Sequence, residues 1–225
     1  MCGRYTLKKP EAVALAYAVA AKLIQTIGAR YNAAPSQSLP VVLRSGAECM
    51  TWGLIPYWET SAKPKMAPTN ARSEEALHKP MFRSALQKRR CLVLADGFFE
   101  WRSLDKKTKV PHHIQMKAGR PFAMAGIYEE ATDQRPATFA LLTTRPNELM
   151  IPIHDRMPVI LSPEGEVRWL ANDGMDKPTL DRLATPYPSI EMEAFTVSSL
   201  VNSPRHDVAE CVQPVPFQED PCLPL

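Results

Sequence analysis

The second residue of the chain carries the most reactive pair of groups in the sequence. The chain begins Met-Cys-Gly-Arg, and a small second residue permits removal of the initiator methionine. Cys2 would then carry a thiol and a free α-amine, and an amine with a pKa of about 8 is partly neutral and nucleophilic near pH 7. The amine can condense with an aldehyde to an imine, and the thiol can close on the imine carbon to give a five-membered thiazolidine. The alternative is that a cysteine stands at this position by chance.

Two side chains farther along the chain could move protons for such a reaction. Glu100 lies in the segment DGFFEW, where large apolar neighbours would raise its pKa by desolvation. His154 lies in IPIHDRMPV, and an imidazole exchanges protons near neutral pH. Each has a structural alternative: a strand glutamate that faces solvent, and a hydrogen-bonded histidine with no part in chemistry. His112 and His113 have no comparable setting, and we expect them on the surface of a strand.

Residues suited to holding a phosphate or a base stand in two other segments. In PTNARSE, Asn70 can donate and accept hydrogen bonds at once, and Arg72 can grip a phosphate with two hydrogen bonds. In TWGLIP, Trp52 offers a flat ring for base stacking, and Gly53 allows a close approach to the backbone. The alternatives are surface turns for Asn70 and Arg72, and a core position for Trp52.

Charge is distributed unevenly along the 225 residues. Residues 1–120 hold 20 Lys and Arg against 8 Asp and Glu, residues 121–225 hold 7 against 16, and the differences of +12 and −9 sum to the net charge of +3. A basic half indicates an anionic partner, commonly nucleic acid. An unevenly charged, solvated surface is the simpler alternative.

The cysteines and the missing motifs argue against several classes of protein. There are five cysteines, an odd number, and none is paired at CxxC spacing, which argues against a disulfide framework and a structural zinc site. The motifs HExxH and GxxxxGK[ST] are absent, so metalloprotease and P-loop functions lack support. The sequence has neither an apolar run of about 18 residues nor a signal peptide. We expect a cytoplasmic protein that needs no membrane, metal or cofactor.

Apolar patterning and turn signals predict many short strands with few helices between them. Strands are predicted in hairpins at 39–55 and 111–129, at 91–101 with a break at Asp96-Gly97, and at 137–144, 157–162 and 192–198. Helices are predicted at 10–24, 81–88, 163–171 and 177–184, and an irregular loop at 56–80. Because helices do not alternate regularly with strands, a doubly wound parallel sheet is disfavoured.

The predicted elements indicate one α+β domain over residues 1–225. We expect antiparallel strands curled into a partly closed barrel, with short helices at its periphery. A Pro-rich tail at about residues 205–225 is expected to be loosely held.

Taken together and in order, the motifs resemble those of the bacterial members of the SRAP family, the SOS response-associated peptidases or abasic-site-crosslinking proteins. The matching segments are MCGRY at 1–5, YNAAPSQ at 31–37, WGLIPYW at 52–58, NARSE at 70–74, RRCLVLADGFFEW at 89–101, FALLTTRPN at 139–147 and IHDRMPVIL at 153–161. The resemblance covers roughly residues 1–200. Departures from the family pattern at Glu75 and in TTRPN leave the chemical positions untouched.

The resemblance implies roles for the reactive residues. It implies a sensor that crosslinks covalently to abasic sites in single-stranded DNA through a thiazolidine at Cys2, which shields the lesion from strand cleavage and error-prone processing. Asn70 would orient the abasic site, and Glu100 and His154 would assist ring opening and proton transfer. Self-processing that removes Met1 and lyase-type strand cleavage are also implied.

The resemblance also implies a DNA-binding surface. Arg4, Arg72 and Arg156 would hold the DNA backbone, and Trp52 and Gly53 would line the groove that receives the strand. The expected partner is single-stranded DNA with abasic sites, single-strand/duplex junctions included. We expect the protein to act as a monomer and to join the nucleoid after DNA damage.

Two other functions remain open at this point. A thiol peptidase would use Cys2 and His154, but it needs an oxyanion hole for which the sequence has no signature. A non-covalent module for single-stranded DNA would use the arginines and Trp52 and would be indifferent to Cys2.

Overall fold

The computed structural model of the chain describes residues 2–61, 64, 66–171 and 173–216. Its strands are β1 (Tyr5–Leu7), β2 (Arg30–Ala33), β3 (Ser38–Leu43), β4 (Gly46–Trp52), β5 (Asn70–Arg72), β6 (Arg90–Ala95), β7 (Gly97–Ser103), β8 (Lys109–Met116), β9 (Phe122–Glu129), β10 (Thr138–Thr144), β11 (Met157–Pro158) and β12 (Met192–Thr196). Its α-helices are α1 (Pro10–Ala16), α2 (Ala21–Ile27), α3 (Ser73–Ala76), α4 (Pro80–Lys88), α5 (Pro163–Leu170) and α6 (Lys177–Leu183). Within these described ranges no helix has the length and apolar character needed to cross a bilayer.

Five of the strands close into a barrel. β3 pairs with β4 and β6, β6 pairs with β9, β9 pairs with β10, and β10 returns to β4. These contacts are antiparallel except for β10 with β4, and β5 adds a second parallel contact to β10. The predicted α+β fold with a curled barrel is confirmed, and the ring of strands closes fully.

A second, antiparallel sheet positions the start of the chain. Its strand order is β12-β8-β7-β1-β2, and β6 and β7 belong to different sheets, which confirms the predicted break at Asp96-Gly97. Gly97 is required at this break, because an added Cβ would lie 2.3 Å from Nε2 of His113. The turn therefore carries the chain from the barrel into the sheet that holds Cys2 beside β7.

The predicted hairpin at 111–129 is wrong. β8 pairs with β7 and β12, whereas β9 pairs with β6 and β10, so the two strands lie in different sheets. Ala118 and Gly119 between them both have a φ of 63°, and this left-handed turn separates the strands. The predicted helix at 10–24 is similarly interrupted at Tyr17, which has non-helical dihedral angles and donates a hydrogen bond to Glu166.

The segment 197–216 covers the outer face of the second sheet. Val197, Val201 and Cys211 form a small buried cluster there with Phe99 of β7. Oδ1 of Asp207 accepts the backbone N–H groups of β2 residues 31 and 32 at 2.6 and 2.8 Å. The described part of the predicted loose tail is therefore bonded to β2, and residues 217–225 lie outside the described residues.

Candidate active site

Strand pairing holds Cys2 against β7. Cys2 lies three residues before β1, and β1 pairs with β7 through Tyr5 and Phe98. The pairing continues toward the chain start, because the N–H of Phe99 donates to the Arg4 carbonyl at 3.0 Å. Cys2 is fully buried, and its thiol donates to the Arg4 carbonyl at 3.7 Å. The reactive residue is thus held beside the strand that carries Glu100.

Asn70 fixes the backbone of Cys2 from the opposite side. It begins β5, which β10 positions through the pair Leu141–Asn70. Its side-chain N–H donates to the Cys2 carbonyl at 2.9 Å. Its amide oxygen is buried and has no hydrogen-bond partner among the described residues. Because an unsatisfied buried acceptor is costly, this oxygen is prepared to accept a hydrogen bond from a donor brought to Cys2.

Glu100 and His154 come together from distant parts of the chain. Glu100 lies on β7 and is almost fully buried, and Oε2 lies 3.8 Å from Nε2 of His154. His154 follows a turn after β10, where its N–H donates to the Met150 carbonyl at 2.8 Å. Its Nδ1 accepts the N–H of Arg156 at 3.0 Å and lies 3.0 Å from Oδ1 of the exposed Asp155. The Arg156 N–H favours a lone pair on Nδ1 and the Asp155 carboxylate favours a proton there, while Nε2 faces Glu100.

Burial sets the protonation states of these groups. Burial raises the pKa of Glu100 to about 7, and it lowers the pKa of His154. Burial makes the largest contribution to raising the pKa of the Cys2 thiol, and the negative charge of Glu100 raises it further. Near neutral pH the site therefore combines a thiol, a carboxyl that is half protonated and a neutral imidazole. Such a site can supply acid catalysis without a thiolate.

The arginines predicted to hold DNA differ in their availability. Arg4 donates to Oδ1 of Asn32 at 3.0 Å and to the carbonyls of the 201–202 turn at 2.7 and 3.2 Å. Arg156 makes a two-pronged ion pair with Glu74, with both distances 2.8 Å. The side chain of Arg72 is half exposed, and its nearest carboxylate is 3.6 Å away. Of these three arginines, Arg72 has the guanidinium that is most accessible to a ligand.

Trp52 belongs to the core. It is 1% exposed, its ring packs against Tyr5 and Phe139, and its indole N–H donates to the Thr69 carbonyl at 2.9 Å. The prediction that it offers a stacking surface is therefore wrong, and the core alternative is correct. Gly53 has a φ of 136°, and an added Cβ would lie 3.3 Å from the Ala67 carbonyl oxygen. Both residues position the loop that leads to Asn70.

Two aromatic side chains that the sequence analysis did not single out are exposed on this loop. Tyr57 and Trp58 are 60% and 48% exposed, and their rings meet edge to face at 5.0 Å. Large exposed aromatic rings are costly in water, so they mark candidate binding surfaces. The available signal was their place within the Pro-rich, irregular segment rather than within a strand.

The prediction that His112 and His113 lie on a strand surface is wrong. They are 8% and 0% exposed. Neighbouring residues of a strand face opposite sides of the sheet, and β8 is covered on both sides. The ring of His113 packs against Phe99 and Phe195, with Nε2 3.3 Å from Oγ1 of Thr6. Across the described part of the chain, no three His, Cys, Asp or Glu side chains form a group that could hold a metal ion.

Comparison with known proteins gives the same family as the motifs. The family model for the SOS response associated peptidase (SRAP) matches residues 1–204. The Bacillus subtilis abasic site processing protein YoqW is 44% identical over 190 residues, which are 81% of this chain and 85% of that protein. The abasic site processing protein HMCES of Xenopus tropicalis is 31% identical over 220 residues, covering 81% and 65% of the two chains.

A solved structure shares the fold. A protein from Bacteroides thetaiotaomicron superposes with a TM-score of 0.82 and 28% identity, over 95% of this chain and all of that one. The family model spans nearly the whole chain, and relatives reach more than 40% identity, so the family of the chain is established. The chain belongs to the SRAP family.

Proposed function

We propose that this protein, once Met1 is removed, captures the aldehyde form of an abasic site in single-stranded DNA as a thiazolidine at Cys2. The observation that carries the proposal is the grouping of Cys2, whose carbonyl Asn70 holds at 2.9 Å, with an acidic carboxyl and an imidazole 3.8 Å apart. Relatives that match about four fifths of the chain are named abasic site processing proteins, which supports a role on the same lesion.

The first chemical step is the opening of the abasic sugar. Hydrolysis of the Met1–Cys2 peptide bond first frees the α-amine and consumes one water. The sugar is largely a closed hemiacetal, so its ring C–O bond must break before an aldehyde exists. Protonated Glu100 donates its proton to the departing ring oxygen, and the proton of the C1′ hydroxyl leaves to water. A carboxyl with a pKa of about 7 suits this step, because a large share of it is protonated at neutral pH.

The second step joins the protein to the DNA. The Cys2 amine attacks C1′ to give a carbinolamine, whose hydroxyl leaves as water on a proton supplied by His154 or by Glu100 that has been reprotonated from water. The nitrogen returns a proton to the same group as the imine forms. The thiol then adds to the imine carbon, and its proton moves to the nitrogen. Aldehyde and aminothiol are thus converted to a thiazolidine and one water. The raised pKa of the thiol fits this order, since the amine attacks first and the thiol brings its own proton.

The same features disfavour a peptidase as the main function. A cysteine peptidase attacks with a thiolate, which a neighbouring imidazolium stabilises. Here burial favours the thiol, and the thiol hydrogen bond goes to the Arg4 carbonyl. Burial also favours the neutral form of His154.

A surface beside the site can receive the strand. Arg72 follows Asn70 directly and is half exposed, and the aromatic pair Tyr57–Trp58 lies on the loop that leads to them. A guanidinium can bind a phosphate, and exposed rings can stack on unpaired bases at about 1–3 kcal/mol each. We assign the base-stacking role predicted for Trp52 to Trp58.

Crosslinking to a single-stranded oligonucleotide that carries one abasic site tests the proposal. The wild type should give a heat-stable band on a denaturing gel, whereas the same strand without the lesion should give none. Cys2→Ser should lose the band, because an oxazolidine is far more labile, and Cys2→Ala should form only a transient imine that nicks the strand. Intact mass spectrometry should show Met1 absent and an adduct equal to the DNA minus one water.

Other outcomes of these measurements would overturn the proposal. An unchanged stable band with Cys2→Ala would exclude the thiazolidine. Equal binding of intact and abasic strands, fully reversed by salt, would favour the non-covalent module. Turnover of peptides in the absence of DNA would favour the peptidase.

A further inference from the structure

Two neighbours compete for the same nitrogen of the His154 ring. The backbone N–H of Arg156 donates to Nδ1 at 3.0 Å, and Oδ1 of Asp155 lies 3.0 Å from the same atom. An N–H donor requires a lone pair on Nδ1, whereas a carboxylate requires a proton there. The two contacts suit different protonation states of one ring, so the ring can exchange one partner for the other when its protons move.

The surroundings of the ring are fixed, so only protons need to move. The Arg156 guanidinium makes the two-pronged ion pair with Glu74 and also donates to the Thr143 carbonyl at 2.6 Å. These contacts anchor the residue whose backbone N–H faces Nδ1. The other ring nitrogen, Nε2, lies 3.8 Å from Oε2 of Glu100. His154 thus contacts a different carboxylate with each of its two nitrogens.

The three side chains form a path from water to the buried acid. The exposed fraction of the side chain falls from 81% at Asp155 to 23% at His154 and 3% at Glu100. Glu100 must be reprotonated after it has opened the sugar, and the Cys2 ammonium must lose a proton before the amine attacks. A carboxyl this deeply buried exchanges protons with bulk water most readily through a neighbour that contacts both.

The charges around the ring show what Asp155 contributes. Burial lowers the pKa of His154, and the positive charges of the amino terminus and of Lys109 on β8 lower it further, whereas the Asp155 charge raises it. Glu100 faces the ring from β7. The Asp155 carboxylate therefore favours the imidazolium that exists whenever both nitrogens of His154 carry a proton.

We infer that Asp155 is a positioning residue that acts through His154 and lets this ring carry protons between water and Glu100. In one direction, Nδ1 binds a proton from water with Asp155 as its acceptor, and the proton on Nε2 passes to the Glu100 carboxylate. In the other direction, Nε2 takes a proton from the site and the Nδ1 proton leaves to water, so the Arg156 N–H regains its acceptor. One proton enters the ring for each that leaves, and no further reactant is needed. This role rests on the proposed function and deepens it.

The test removes the charge of Asp155 and compares the result with a matched control. Asp155→Asn keeps the size of the side chain, and Glu164→Gln removes an exposed carboxylate at the start of α5, which packs against β6 and β9. At saturating abasic DNA, single-turnover crosslinking should slow about fivefold in Asp155→Asn, the most that one exposed charge usually contributes. The rate should stay at the wild-type value in Glu164→Gln, and Asp155→Glu should recover most of it.

Heteronuclear NMR of the histidine rings measures the same contact without DNA. The His154 signals are identified by their loss in His154→Gln. The midpoint of the His154 titration should fall by about 0.7 on the pH scale in Asp155→Asn, which is the equivalent of a fivefold change. It should stay in place in Glu164→Gln.

Three results would overturn the inference: a wild-type rate in Asp155→Asn, an unmoved His154 midpoint in that variant, or equal slowing by Asp155→Asn and Asp155→Glu. The last result would mean that the shape of the side chain matters and its charge does not. Failure of the wild type to crosslink would instead overturn the proposed function. Because the NMR titration needs no DNA, the two failures are distinguishable.

Discussion

Replacing Glu100 with glutamine should stabilise the fold and abolish efficient capture. Burial raises the pKa of Glu100 from its ordinary value of 4.5 to about 7. A group whose pKa is raised on folding binds its proton more tightly in the folded state, so its contribution to stability is full below pH 4.5 and is lost as the pH rises through about 7. At about 1.36 kcal/mol per pH unit, the ionised carboxylate costs the native state about 3 kcal/mol at pH 8.

Urea unfolding of the wild type and Glu100→Gln at two pH values isolates this contribution. Between pH 5 and pH 8 the unfolding free energy of the wild type should fall by about 2.5 kcal/mol more than that of the variant, because glutamine does not titrate. The variant should also crosslink abasic DNA roughly 10²-fold to 10⁴-fold more slowly, since it cannot donate the proton that opens the sugar. Equal pH dependence of the two unfolding curves would refute the assignment of a buried, titrating carboxyl.

Three further outcomes follow from the same structure. In a titration, Trp58→Ala should weaken the binding of single-stranded DNA by about 1–3 kcal/mol without loss of fold stability. Trp52 is buried, so Trp52→Ala should instead lower the unfolding free energy by about 3–5 kcal/mol. The reverse pattern would contradict the assignment of the stacking surface. Asp207→Ala removes the acceptor for two backbone N–H groups of β2 and the ion pair with Arg30. Chemical denaturation should therefore show a loss of about 1.5–3 kcal/mol in unfolding free energy. No change beyond experimental error would mean that the segment 197–216 is not held through this residue. Capture needs protonated Glu100 and a neutral Cys2 amine, which has a pKa of about 8. Its rate should therefore peak near about pH 7.5 and fall roughly sixfold by about pH 6 and by about pH 9. A rate that keeps rising above about pH 8 would exclude Glu100 as the acid.

Local sequence was sufficient for much of the fold. Alternating apolar residues predicted most of the strands, and the turn signals predicted the hairpin of β3 and β4 and the change of sheet at Asp96-Gly97. Two errors share one cause. The sequence between β8 and β9 has the form of a hairpin turn, and residues 10–24 have helical periodicity, but strand partners and the helix break at Tyr17 are decided by non-local contacts.

The groups that are available for chemistry could be identified from residue types and motifs alone. The second-position cysteine, the carboxyl among aromatic residues and the histidine before β11 are identified by residue type and order, because reactivity is a property of the side chain. That these three side chains lie together in the folded protein could be inferred from the motifs only through their resemblance to a known family. The hydrogen bond that ties Asn70 to Cys2 spans 68 residues, and it exists because β1 and β5 are paired to different strands that meet at the site.

The places of several similar residues in the fold could be read only from the three-dimensional structure. Trp52 and Trp58 stand six positions apart in one motif, yet one lies in the core and the other on the surface. Likewise, His112 and His113 are adjacent, yet register places His112 on the Glu100 face of the sheet and His113 on the Phe99 face. Burial depends on what the rest of the chain places over a residue, and a strand covered on both faces has no local pattern that tells its two sides apart.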